Sequence, residues 1–109
     1  MKNCYFRGMM DLNLDKEIIK HIIEICEKHE YIDKVILFGS RARGDNNLKS
    51  DIDLAVYSEK PLAKFIEAVE TKTKTLLEYD YSHMNTIQDR FFIEQVDKDG
   101  IVIYEKCGI

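Results

Sequence analysis

Apolar residues recur along the chain in short blocks whose spacing switches between helical and extended. Leu14, Ile18, Ile22, Ile25 and Cys26 repeat at three- and four-residue steps, which predicts an amphipathic helix over 14–28. Asn13 or Asp15 offers a side-chain oxygen to cap its start. Lys34-Val35-Ile36-Leu37-Phe38 then forms an apolar run that stops at Gly39-Ser40, the pattern of a buried strand. Asp45-Asn46-Asn47 is turn chemistry, and Ile52 to Tyr57 reads as a second strand ended by Ser58-Glu59-Lys60-Pro61. Pro61 suits the first position of a helix that carries Leu62, Phe65, Ile66 and Val69. Leu76 to about Met84 predicts a third strand. Asn85 or Thr86 is placed to cap a short helix carrying Ile87, Phe91, Phe92 and Val96. Asp99-Gly100 turns the chain into a last strand, Ile101 to Tyr104. Residues 1–13 have no clear period and are expected to be a loose lead-in, with 14–109 as one domain.

Helices interleaved with short strands predict an α/β (α+β) fold, a small sheet covered by helices. With 109 residues, 45% of them hydrophobic, one core is enough to fold independently. No run approaches the roughly 18 apolar residues of a membrane-spanning helix. The first residues lack the apolar stretch of a secretory signal, so a cytoplasmic location is expected. Sixteen basic against twenty acidic side chains leave a net charge of −4, which disfavours non-specific binding to nucleic acid. Cys4, Cys26 and Cys107 are widely spaced and form no disulfide or metal pattern, and Cys26 falls on the apolar helix stripe.

The irregular connection between the first two strands carries the chemistry. Side chains at i and i+2 leave the same face of a strand, so Asp51 and Asp53 point together while Ile52 and Leu54 enter the core. Two aspartates about 6 Å apart repel by roughly 3 kcal/mol at an effective dielectric near 20. A divalent cation reverses that sign, and hard carboxylate oxygens suit Mg²⁺. Alone, such a pair is commonly just a solvated strand end. Gly39-Ser40 changes the picture, because it leaves a buried strand where a helix can begin. Glycine there lets the backbone come close to a ligand, and free amides at a helix start attract phosphate. The Ser40 hydroxyl adds a hydrogen bond, and Arg41 and Arg43 lie within one turn. A phosphate cradle after one strand and a metal-binding pair on the next are the equipment for moving a phosphorus-containing group.

Phe38-Gly39-Ser40-Arg41-Ala42-Arg43-Gly44, followed by Ser50-Asp51-Ile52-Asp53-Leu54, resembles the signature of the nucleotidyltransferase superfamily related to DNA polymerase β. It is most similar to the minimal nucleotidyltransferase branch, over about Asp15 to Tyr104, with a Gly-Ile-Val-Ile-Tyr ending like that branch. The resemblance implies a short mixed sheet with helices packed on it. It implies transfer of a nucleoside monophosphate from a nucleoside triphosphate to a hydroxyl, with Mg²⁺ at a two-metal site. In that carry-over Gly39 and Ser40 hold the triphosphate, Arg43 contacts phosphate or braces the loop, and Asp51 and Asp53 hold the metals. The family's third carboxylate, on a later strand, is best matched by Asp80, with Glu78 of the same strand parity as the alternative. The branch is paired with small helical HEPN-domain proteins in toxin–antitoxin systems, where it adds AMP to a toxin tyrosine or binds the toxin. A homodimer or hetero-oligomer is accordingly expected.

The remaining candidates weigh less. His21 and His29 lie eight residues apart without metal spacing, and His83 falls on the strand face opposite Asp80. Tyr79, Tyr81, Phe91 and Phe92 form an aromatic group expected in core or interface rather than stacked on a base. Tyr104 is expected to pack the final strand, with self-modification of its hydroxyl as a remote alternative. Three functions follow in order: transfer to a protein partner, neutralisation of that partner by binding alone, and transfer to a small molecule or RNA end.

Overall fold

Asp15 opens helix α1 (Lys16–Lys28) by accepting the Glu17 amide at 2.8 Å on its side chain. In the computed structural model, which describes residues 15–44, 51–73, 75 and 77–106, the chain continues through β1 (Ile32–Phe38) and a one-turn α2 (Ser40–Arg43). Then come β2 (Ile52–Ser58), α3 (Ala63–Thr73), β3 (Tyr79–His83), a 3₁₀ turn at Met84–Thr86, α4 (Arg90–Asp99) and β4 (Ile101–Glu105). The expected lead-in, the Asn13 alternative cap, the Asp45-Asn46-Asn47 turn, Leu76, Cys4 and Cys107 lie outside the described residues.

The strands form one mixed sheet in the order β3-β2-β1-β4. β1 is antiparallel to both neighbours, and β2 and β3 are parallel. A parallel pair needs a crossover, and α3 provides it. The period-two alternation sorts side chains onto two faces. Val35, Leu37, Ile52, Leu54 and Val56 share the larger core with Ile22 and Cys26 of α1 and Phe65 and Val69 of α3. Ile36 and Ala55 meet Met84 and Val96 in a smaller core beneath α4. At the junction of α4 and β4, Gly100 leaves no room for a β-carbon, which would collide with Ile36 and the Val96 carbonyl.

Several boundaries differ from the sequence expectation, each for a tertiary reason. β1 begins at Ile32, two residues early, because Ile32 is fully buried and pairs with Ser58. Pro61 precedes α3 instead of starting it, and the Leu62 carbonyl takes the first helical bond, from Ile66. β3 stops at His83 because Met84 turns into the smaller core. Asp89, and neither Asn85 nor Thr86, caps α4, accepting the Phe91 and Phe92 amides. Asn85 is used elsewhere: its side-chain oxygen accepts the Ser58 amide at 2.9 Å and closes the end of β2.

Candidate active site

The chain leaves β1 at Gly39, whose φ of 78° and ψ of −156° place it in a region that only glycine occupies without strain. A β-carbon there would land on the Asp53 carboxylate. One glycine thus makes the turn and lets the β2 carboxylate press against the backbone of the β1–α2 connection. The Ala42 and Arg43 amides both bond back to the Gly39 carbonyl at 3.1 Å, and the left-handed Gly44 ends the turn with its amide on the Ser40 carbonyl at 2.8 Å. Amides ahead of Ala42 have no intrahelical acceptor in such a turn. The Ser40 hydroxyl stands at its first position, half-exposed.

Ile52 and Leu54 are fully buried in the larger core, so Asp51 and Asp53 leave the opposite face of β2, as the alternation predicts. Asp53 is directly opposite Phe38 on β1 and in register with Asp80 on β3. In-register residues of neighbouring strands share a face and lie about 5 Å apart. This pairing sets Asp80 beside the aspartate pair. Glu78 lies one step outside β3, with its carbonyl accepting the Ile52 amide at 2.9 Å. The charges follow the geometry: the Asp53 carboxyl is pushed above the usual carboxylate range, first by partial burial, then by Asp80 and Asp51, while Arg43 pulls it down. Three carboxylates and one guanidinium therefore converge where the phosphate loop meets the sheet.

The other candidates separate. Arg41, read with Arg43 as a partner for polyphosphate, is only 6% exposed and is part of the interior, whereas Arg43 is exposed. The His83 ring donates to the Ser58 carbonyl at 2.9 Å, at the far end of β2 from Asp51 and Asp53. His29, which has no metal spacing to His21, donates from Nδ1 to the Ile25 carbonyl and packs edge-on against Tyr31 and Phe65. Tyr104 is buried, which removes its hydroxyl as a modification site. The aromatic group splits in two. Tyr79 and Tyr81 stack against the larger core, while Phe92 packs edge-on against Phe38 on the other face, with ring centroids 5.6 Å apart. Phe91 points to solvent. Sequence spacing had no means of parting them, since all four sit in apolar-rich segments.

Among the described residues no group of three or more His, Cys, Asp or Glu side chains is gathered closely enough to hold a metal ion. The oxygen-only donor set nevertheless suits Mg²⁺, which typically takes one or two protein carboxylates and completes its shell with substrate phosphates and water. Burial, and after it Asp80 and Asp51, disfavours the ionised form of Asp53, and a cation placed there would offset that cost.

A Gly-Ser turn leaving one strand beside aspartates on the next two, on a short mixed sheet, fits a nucleotidyltransferase. The family model for polymerase β-type nucleotidyltransferases matches residues 20–107, and the chain belongs to that family. A relative in Methanocaldococcus jannaschii, named as a candidate protein adenylyltransferase, is 34% identical over 100 residues, covering 87% of this chain and all of the relative. Among solved structures, a toxin–antitoxin complex with AMP-PNP matches with a TM-score of 0.65 and 19% identity, over 81% of this chain and 73% of that one. The MntA-HepT toxin–antitoxin complex matches with a TM-score of 0.59 and 16% identity, over 84% and 74%. At these identities the structural matches speak for the fold.

Proposed function

We propose that this nucleotidyltransferase moves AMP from ATP to a hydroxyl of a protein partner, a tyrosine of a HEPN-type toxin, with release of pyrophosphate, and so acts as its antitoxin. The observation that carries the reading is the register of Asp80 against Asp53, which unites the three carboxylates at the mouth of the Gly39–Ser40 loop. The named relative supports protein as the acceptor class, and the fold neighbours support a toxin as the partner.

In this reading the backbone at Gly39 and Ser40, with the Ser40 hydroxyl, binds the triphosphate, and Arg43 balances its charge. Asp51, Asp53 and Asp80 would hold Mg²⁺. Bound there, the cation withdraws charge from the phosphates and favours the ionised acceptor oxygen. Asp80, exposed on β3, is the carboxylate that the acceptor hydroxyl approaches. By holding the cation Asp51 and Asp53 would keep the α-phosphate aligned with that oxygen, whose proton passes to Asp80 as the new P–O bond forms and the bond to pyrophosphate breaks; positioning of this kind is where most of the rate in phosphoryl-type transfer comes from.

The test is transfer of α-labelled ATP to protein in a lysate of the source organism with Mg²⁺, read on a gel. A labelled band that disappears with Asp51→Asn and with Asp53→Asn is expected. Label persisting in either variant refutes the site. A double Asp51→Asn, Asp53→Asn variant that still neutralises the partner refutes the catalytic account of neutralisation and leaves binding alone.

A further inference from the structure

β3 is an edge strand, joined to the sheet through β2 alone. Its pairing fixes which way each backbone group points. Ile52 stands opposite Tyr79 while its amide bonds to the Glu78 carbonyl, so residues 78, 80 and 82 turn their backbone toward β2. Tyr79 and Tyr81 then turn their amides and carbonyls outward, and among the described residues no backbone group meets them there. Their side chains are fully engaged in the fold. The two rings stack with centroids 5.7 Å apart, the Tyr79 hydroxyl donates to Thr73 Oγ1 at 2.7 Å, and Tyr81 packs edge-on against Phe65. The strand is thus held firmly while two amides and two carbonyls face out from it. Asp80 lies between them, exposed, on the face it shares with Asp53.

Donors and acceptors that alternate along a strand edge fit the main chain of another extended polypeptide. A nucleobase or a sugar offers no such repeat. β4, at the other edge of the sheet, is separated from Asp80 by β1 and β2 and carries none of the candidate site residues, so it is the β3 edge that continues the site. Because the backbone of Asp80 is spent on β2, a residue facing it across an added antiparallel strand falls in a non-hydrogen-bonded pair. Such pairs bring facing residues closest, with α-carbons about 4.5 Å apart and both side chains on one face. The register that sets Asp80 beside Asp53 would extend by one strand and set a new side chain beside Asp80.

We propose that the β3 edge takes an extended segment of the acceptor protein as a fifth, antiparallel strand whose hydroxyl-bearing residue stands opposite Asp80. The proposal rests on the nucleotidyl-transfer reading of the site and adds to it how the acceptor is held. The residues flanking the acceptor hydroxyl bond through their main chain to Tyr79 and Tyr81, so recognition at this edge tolerates many sequences.

The experiment gives the full chain, with Mg²⁺ and α-labelled ATP, a blocked Thr-Val-Tyr-Val-Thr peptide at millimolar concentration, and two analogues of it. One is N-methylated at both valines, whose amides face β3 in the proposed register. The other is N-methylated at the tyrosine, whose amide faces away. The parent peptide is expected to take label. The valine analogue should take at least about tenfold less, through loss of two hydrogen bonds, and the tyrosine analogue should stay within about threefold of the parent. Equal labelling of all three peptides, or equal loss in both analogues, overturns the proposal. A parent peptide that takes no label while proteins in a lysate of the source organism do also overturns it, because main-chain recognition accepts an extended tyrosine segment of any sequence. Hydrogen exchange without peptide covers the other occupant: Tyr79 and Tyr81 amides already protected in a dimer give the edge to a second copy and overturn the proposal too. If the protein neither binds ATP nor labels any protein, the nucleotidyl-transfer reading has failed by itself and the added strand falls with it.

Discussion

Asp53 is where folding and function oppose each other. Its ionised form is disfavoured by burial and by Asp80 and Asp51, so the folded pKa lies above the unfolded one. The native state then binds more protons than the unfolded chain near that pKa, and stability rises as pH falls through it. Above the folded pKa the full penalty is present. Asp53→Asn is therefore expected to raise the melting temperature of the metal-free protein near neutral pH, with the gap to wild type closing as pH falls into the carboxylate range. The same variant should lower transfer by roughly a hundredfold or more if Asp53 is the proposed metal ligand. Thermal scans against pH, paired with labelled transfer, check both halves. Gly39→Ala meets the opposite fate: the new methyl lands on the Asp53 carboxylate in a backbone conformation that costs alanine about 1–3 kcal/mol. A lowered denaturation midpoint together with lost ATP binding is expected. Neither the raised Asp53 carboxyl nor the glycine contact is visible in the one-dimensional pattern, although the i, i+2 parity of Asp51 and Asp53 is.

Among the elements, α4 separates what local pattern can show from what packing settles. Its apolar positions predict a helix near residues 86–96, and one forms over Arg90–Asp99. The cap is Asp89, because Asn85 is already committed to the Ser58 amide across the fold. Asp89→Ala should cost about 1 kcal/mol, read as a shift in urea midpoint, whereas Asn85→Ala should leave α4 intact and loosen the end of β2. Hydrogen exchange at the Phe91 and Phe92 amides distinguishes the two. α2, a single turn between Gly39 and Gly44, depends on its glycines and on β1 and is too short to form by itself. Its Gly-Ser start is legible as chemistry; the burial of Arg41 is not, because it depends on what packs over the turn.

At the scale of the whole molecule, the site exists because two connections return to one end of the sheet. The β1–α2 turn brings Gly39 and Ser40, and the edge strand β3, next to β2 in the sheet, brings Asp80. On the proposed reading Asp51, Asp53 and Asp80 share a cation, so the intact site is expected only with divalent metal and nucleotide together. Chelation with EDTA should abolish transfer and weaken ATP binding, with full recovery on adding Mg²⁺. Survival of both in excess chelator would remove the metal from the site's chemistry. No helix among the described residues is long and apolar enough to cross a membrane.

The order of elements, the two-faced β2, the Gly39–Ser40 turn and the Asp51–Asp53 pair were determined by the sequence itself. Each rests on residues within a few positions of one another, where backbone periodicity dictates direction. Asp80 was already the better match in the sequence, and the tertiary structure adds its register against Asp53, which depends on a parallel pair whose strands are joined by α3. The burial of Arg41, the parting of Tyr79 and Tyr81 from Phe92, and the exposure of Phe91 were decided in the same way. Each is a question of which face of the sheet a distant element covers, and only the packed chain answers it.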